Sequence, residues 1–164
     1  MIRECLEEDS VKSFMYFCSD LCIDLEKYDS AIEILNKIES RFLLDDTGYN
    51  IRGFTHGQLK NNELEIKDYL KSLKLNPKNK SSLRNLAYID YLSEGKTPVE
   101  WTKNYYEQYP DVEESCLWYA TSLWNHDLRE QSFEFVNGIL SKHPDFSELV
   151  RLKKDFSKIG IKSK

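Results

Sequence analysis

Asp46 to Asn79 reads DTGYNIRGFTHGQLKNNELEIKDYLKSLKLNPKN, and the fold turns on this stretch. Its first half puts Tyr49, Gly53 and Phe54 on one stripe of a helix. Gly57 and then Leu59-Lys60-Asn61-Asn62 end that helix in a tight turn. A second helix begins near Glu63, with Leu64, Tyr69, Leu70 and Leu73 as its inward stripe. Asn76-Pro77 stops it, because the residue before a proline is pushed out of the helical region. The stretch is a helical hairpin, too short to bury its own apolar face and therefore in need of neighbours.

The neighbours follow the same measure. Pro77, Pro110 and Pro144 recur at a nearly constant interval, and Gly53, Ala87 and Ala120 keep a similar one. That interval, about 34 residues, is the signature of stacked helix-turn-helix repeats. The next unit, from about Asn79 to Asp111, carries Leu83, Leu86 and Ala87, turns at Ser93-Glu94-Gly95-Lys96, and continues to Tyr106 and Pro110. Thr97-Pro98-Val99-Glu100 is expected to open its second helix, with Thr97 as N-cap and Glu100 completing a capping box. In the unit that follows, Asp111 and Asp127 are the expected caps, each with a glutamate at the third place after it (Glu114, Glu130), and Ala120 and Val136 face inward. Upstream, a worn first unit pairs a helix over about Val11 to Leu25, capped by Ser10, with one starting at Tyr28. Leu43 stands there where the closing proline would be. After Pro144, Asp145 is expected to cap a last helix over about Phe146 to Lys158.

The hairpin at 46–79 resembles the tetratricopeptide repeat (TPR). Tyr49 takes the family's first-helix aromatic position, Gly53 the small residue where the two helices touch, Tyr69 the second-helix aromatic, Ser72 the next small position, and Leu75-Asn76-Pro77 the closing LNP. Glu65 departs from the pattern, which prefers alanine there. The resemblance implies an all-α, right-handed TPR-like solenoid forming one domain over 1–164. Its units would span about 11–45, 46–78, 79–111 and 112–145, with a capping helix at about 146–158.

It also implies a non-enzymatic module that holds a protein or peptide on its concave face, with no cofactor. Carried over position by position, the groove residues are Tyr16, Asp20 and Ile23, then Thr47, Asn50, Phe54 and Gln58. The later units give Lys80, Arg84, Tyr88 and Tyr91, then Leu117, Thr121, Trp124 and Asn125. Aromatic and arginine side chains are the usual energetic anchors of such a surface. The family's carboxylate clamp is not matched. Its places hold Asn50, Phe54, Asn85, Glu114 and Trp118, of which only Asn85 fits. An adaptor, a chaperone and a toxin-immunity protein are all consistent with these residues, and a homo-oligomer is compatible with them.

Composition narrows the alternatives. The formal net charge is −5, and the excess lies wholly in the N-terminal third: 12 acids against 7 bases through Lys60, then 16 of each. The basic run Lys67, Lys71, Lys74, Lys78, Lys80 and Arg84 raises nucleic-acid binding as the competing function. Its i, i+4, i+7 spacing suits a solvated helix face, and overall acidity opposes phosphate. Arg151, Lys153, Lys154, Lys158, Lys162 and Lys164 form a second basic cluster. His56, His126 and His143 have no ligand partners at metal spacing, and His143 in a last helical turn suits the helix dipole. No phosphate loop or nucleophile motif occurs. Cys5, Cys18, Cys22 and Cys116 show no zinc or redox spacing and read as reduced, apolar side chains. No apolar run is long enough to cross a bilayer, and the acidic start is unlike a signal peptide. A cytoplasmic location is expected.

Overall fold

The computed structural model describes residues 2–158, with side chains from Glu7 onward; the side chain of Cys5, and Lys162 and Lys164, lie outside this set. Among the described residues there are nine α-helices and no strand. They are α1 Ile2–Asp24, α2 Tyr28–Phe42, α3 Asp46–Gln58, α4 Asn62–Leu75, α5 Lys80–Leu92, α6 Glu100–Gln108, α7 Glu113–Asn125, α8 Arg129–Lys142 and α9 Ser147–Lys158. The fold is an all-α helical repeat. The chain forms two compact units, one through Ser82 and one from Leu83. In the first, α1 packs on α2 and α3 on α4, around Leu35, Ile38 and Leu44. In the second, α7 packs on α8 and α9 covers both, around Cys116, Ala120, Val136, Leu149 and Phe156.

The repeat is written in the backbone as well as in the prolines. Glu26, Lys60, Glu94 and Asp127 all have positive φ (56°, 60°, 54° and 59°), and they recur at the interval of the prolines. Each lies in the turn between the two helices of a unit. At Glu26, Lys60 and Asp127 the same pair of bonds closes the first helix. Lys27, Asn61 and Leu128 donate their backbone N–H back to the carbonyls of Cys22, His56 and Leu123 (2.7, 2.9 and 2.9 Å). This is the Schellman closure, which satisfies helix carbonyls that would otherwise lack donors. A second series, with the same interval, is the small buried residue of each first helix: Ser19, Gly53, Ala87 and Ala120. At Gly53 a Cβ would stand 2.8 Å from the Tyr69 ring and 3.1 Å from the Glu65 carbonyl. Ser19 extends the series into the first unit.

Glu65, the departure from the repeat pattern, has a local explanation. Its carboxylate occupies the space where a Gly57 side chain would be, 2.5 Å from the position of that missing Cβ. A glycine on the first helix makes room for a larger residue on the second.

Several expected helix starts are corrected. α1 begins at Ile2, so Ser10 lies inside the helix and is not its cap. α6 begins at Glu100, with Val99 before it. The Thr97 hydroxyl instead donates to Asp90 (2.9 Å) and lies 2.7 Å from the Ser93 hydroxyl. Asp90 is wholly buried, and it also accepts from Thr102 (2.9 Å) and Ser122 (2.7 Å). A buried carboxylate must be saturated with donors, and this demand takes Thr97 away from the cap. Asp127 adopts the left-handed conformation that closes α7, and Leu128 leads into α8 with no side-chain cap; α7 likewise enters from Val112 and not from Asp111. At α9 the Glu148 N–H donates to Glu113 (2.6 Å) in place of the expected cap, Asp145. Among the described residues two side-chain caps do form: Asp45 accepts from the Gly48 N–H at 2.8 Å at the start of α3, and Asn79 accepts from the Ser82 N–H at 3.0 Å at the start of α5. The shortest second helix is α6, with 9 residues against 14 in α4 and 15 in α2, so the third unit departs from the repeat as well.

Candidate functional site

In the first unit, α3 presents Asn50, Phe54 and Gln58 at i, i+4 and i+8. Phe54 is 41% exposed and Gln58 is exposed, while Asn50 donates to Ser82 (3.0 Å). α3 is anchored from behind by a buried ionic cluster. Arg52 makes a two-pronged contact with Asp68 (2.7 and 3.0 Å) and reaches Asn36 (2.8 Å) and Glu39 (2.6 Å). The Arg52 hydrogen bond, helped by Tyr49, holds the Glu39 carboxyl at about 2, well below its ordinary range. Because Arg52 touches α2 and α4 at once, the orientation of the Phe54 face is fixed. Sequence reasoning passed over this cluster. Its members lie on three different helices, so the cluster exists only once α2, α3 and α4 are packed together.

Tyr16 and Asp20 of α1 differ in their surroundings. Tyr16 is half-buried over Gly48, donates to Asp45 (3.1 Å) and lies beneath the Lys12 ammonium at 5.9 Å. Burial and the Asp45 charge push its phenol pKa up. Asp20 is exposed, and its carboxyl is raised by partial burial and by the neighbouring Asp24 charge. Ile23 is half-buried and Thr47 exposed.

In the second unit the α5 site residues Arg84, Tyr88 and Tyr91 meet Trp118 of α7 and Tyr105 of α6 in an aromatic platform. Trp118, 6% exposed, is its hub, with ring centroids of Tyr88, Tyr91 and Tyr105 at 5.4, 5.7 and 5.8 Å. The Arg84 guanidinium lies 5.3 Å from the Trp118 ring and makes two bonds to Glu114 (2.9 and 2.8 Å). Tyr105 donates to the same carboxylate (3.1 Å), and burial with the Glu114 charge pushes its phenol up to about 12. Above this base Tyr88 is 47% exposed. Lys80 is exposed at the start of α5. The sequence reading noted Trp118 only as a mismatch to the carboxylate clamp; its role as the hub depends on tertiary contacts among residues dispersed along the chain.

The remaining positions lie on α7. Leu117 packs against the unit's core. Trp124 stacks on Phe156 of α9 (4.5 Å, 11°), with the Arg129 guanidinium 5.1 Å from its ring. Thr121, Trp124, Leu152, Asp155 and Phe156 line a cleft of about 160 Å³. Asn125 is half-buried, and its carbonyl crowds Gly95, whose φ is +83°.

Other chemistry is sparse. Among the described residues no group of three His, Cys, Asp or Glu could hold a metal ion. No described helix is long and apolar enough to cross a membrane. Cys18, Cys22 and Cys116 are free thiols, and burial pushes Cys116 up to about 11. In the basic run, Lys71 lies 3.6 Å from Glu39 and over the Tyr49 ring, and Arg84 is bound to Glu114.

The geometry is that of a helical-repeat scaffold with half-exposed aromatic side chains on its first helices. Residues 47–79 match the tetratricopeptide repeat. The fold agrees: MamA of AMB-1 superposes with a TM-score of 0.71 at 13% identity, over 93% of this chain and 84% of that one. YrrB, a TPR protein with an unusual peptide-binding site, gives 0.69 at 14% identity, over 89% and 76%. MamA (41 to end) from Desulfovibrio magneticus RS-1 gives 0.69 at 10% identity, over 92% and 97%. No sequence among the curated proteins matches the chain. The chain thus carries a tetratricopeptide repeat and has the fold of TPR proteins.

Proposed function

We propose that this chain is a non-enzymatic protein-binding module whose first helices grip a segment of another protein. The observation that carries this reading is Tyr88, half-exposed on the rigid base of Trp118, with the Arg84–Glu114 pair beside it. A large ring held in place gives contact area with little loss of side-chain freedom. In the Arg84–Glu114 pair Arg84 is exposed and Glu114 half-buried (49% and 34%), so a partner's carboxylate can reach the open side of the Arg84 guanidinium beside the Tyr88 ring. Phe54, flanked by Asn50 and Gln58, offers a second anchor of the same kind. The fold also fits, since YrrB has a peptide-binding site and helical-repeat arrays in general present extended binding surfaces. An adaptor, a chaperone or a toxin-immunity protein would use the same side chains, and a cytoplasmic setting suits each.

Trp124 is unsuited to a test, because its ring packs on Phe156 and its loss would loosen α9. Phe54→Ala together with Tyr88→Ala removes two half-exposed rings, at the cost of the Tyr88 contact with Trp118. Peptides selected from a display library on the immobilised full chain should lose at least tenfold in affinity for this double variant, with its circular dichroism unchanged. Equal affinity of parent and variant would place the binding surface elsewhere.

A further inference from the structure

α1 is apolar on two sides. One side, with Met15 and Tyr16, packs into the core of the first unit. The other carries Val11, Phe14, Cys18 and Leu21, continued by Leu25 just past the helix end, with Phe17 alongside. These stand at i, i+3, i+7, i+10 and i+14, the alternation of three and four that keeps a seam facing a partner helix. No described element covers them. Phe14 is 65% exposed, Phe17 63%, Leu25 57% and Leu21 48%. Large apolar side chains scattered singly over a surface need no explanation, but a contiguous stripe of them marks an interaction surface.

The charges beside the stripe say what covers it. Exposed Glu7, Glu8 and Asp9 lie at one end, and exposed Asp20 and Asp24 flank its C-terminal half. Asp20 and Asp24 are like charges one turn apart, an arrangement unfavourable in an isolated helix, and the Asp20 carboxyl is raised by partial burial and, second, by the Asp24 charge. Among the described side chains the nearby cations are Lys12, paired with Asp45 (3.7 Å), Arg41, which lies over the Phe42 ring and lines one cleft with Glu7, Glu8 and Val11, and Lys27, which follows the helix. A second copy pairing α1 with α1 would bring these acidic flanks against acidic flanks. A cation between Asp20 and Asp24 would relieve them.

We propose that the outer face of α1 is a second docking surface, which takes an amphipathic helix of a partner protein with an apolar seam flanked by lysine or arginine. The heptad spacing selects a helix, and the acidic border selects its charge. Of the expected groove residues this surface uses Asp20 alone, and it shares no side chain with the Phe54 and Tyr88 faces, so loss of those two rings tests the groove separately.

Two synthetic helices test it. Both carry the same leucine seam over about three heptads; one is flanked by lysine and the other by glutamate. Binding to the full-length chain is followed by fluorescence anisotropy. The lysine helix should bind at least tenfold more tightly than the glutamate helix and should slow alkylation of Cys18. Phe14→Ser with Phe17→Ser should abolish its binding while leaving circular dichroism unchanged, because both rings are exposed. Asp20→Lys with Asp24→Lys should reverse the preference. The Phe54→Ala, Tyr88→Ala variant should bind the lysine helix as the parent does. Three results would overturn the proposal: no binding of either helix, equal binding of both, or a concentration-dependent dimer in sedimentation that Phe14→Ser with Phe17→Ser dissolves. The last would assign the face to a second copy of this chain.

Discussion

Gly53 and Gly138 both lie inside helices, α3 and α8, and they should answer the same substitution in opposite ways. A Cβ at Gly138 would meet nothing within 4 Å. Gly138→Ala removes the entropic penalty of a mid-helix glycine and should stabilise by about 1 kcal/mol. A Cβ at Gly53 would press on the Tyr69 ring, which is 1% exposed and cannot swing away, and on the Glu65 backbone. Gly53→Ala should therefore destabilise by about 1–3 kcal/mol despite its better helix propensity. Urea unfolding of the two variants measures both signs. Gly53 was legible from its place in the repeat, and Ser19 could be found by counting one repeat length back from it. The Arg52–Asp68 pair was not legible. Nothing in a sequence marks which of many arginines is buried until the helices that enclose it are placed.

At the scale of the element, the end of α2 shows why the proline ladder lacks a first member. Leu43 follows α2 with φ 64° and ψ 144°, a conformation that proline, locked near −65°, cannot adopt. The region is nearly glycine's alone and costs other residues of order 1–3 kcal/mol. Leu43 is 73% exposed, so little packing depends on it. Leu43→Gly should stabilise by roughly 1 kcal/mol, less than the full strain because glycine has more freedom to lose on folding. Leu43→Pro would restore the ladder in sequence, yet it removes the N–H that bonds Glu39 (3.3 Å) and forbids the backbone angle. It should destabilise the first unit strongly. Thermal melts of the two variants, moving in opposite directions, check the claim. Helix ends were legible because proline acts locally. Helix starts were less so. Thr97 satisfies buried Asp90 and Asp127 takes a left-handed turn, and both demands arise from parts of the chain outside the capping pattern.

For the whole molecule, the repeat architecture was readable because its periodic marks run the length of the chain, whereas the free or engaged state of each charge was not. Lys71 and Arg84 read as a basic run until Glu39 and Glu114 are found beside them. The histidines carry the same lesson into solution. His56 in the first unit is held below the ordinary histidine value by burial, with Asp68 (3.8 Å) opposing and Arg52 adding to the shift. The unfolded chain therefore binds a proton more readily there, and stability is lost as the pH falls below about 6.5 towards the folded value. His126 in the second unit has the opposite sign. Its two ring nitrogens lie 2.8 Å from the Ser122 and Thr97 carbonyls, and only the protonated ring donates to both. Burial opposes the charge, but these carbonyls with Asp90 and Glu100 outweigh it and raise the pKa. Its stabilisation is present below about 6.5 and lost as the pH rises through the folded value. The two slopes oppose one another in any global melt. With His56→Gln only the His126 slope remains, and the melting temperature should fall from pH 5.5 towards pH 8. With His126→Gln it should fall from pH 8 towards pH 5.5. Variants that both keep the parent's pH profile would show that neither histidine titrates with folding.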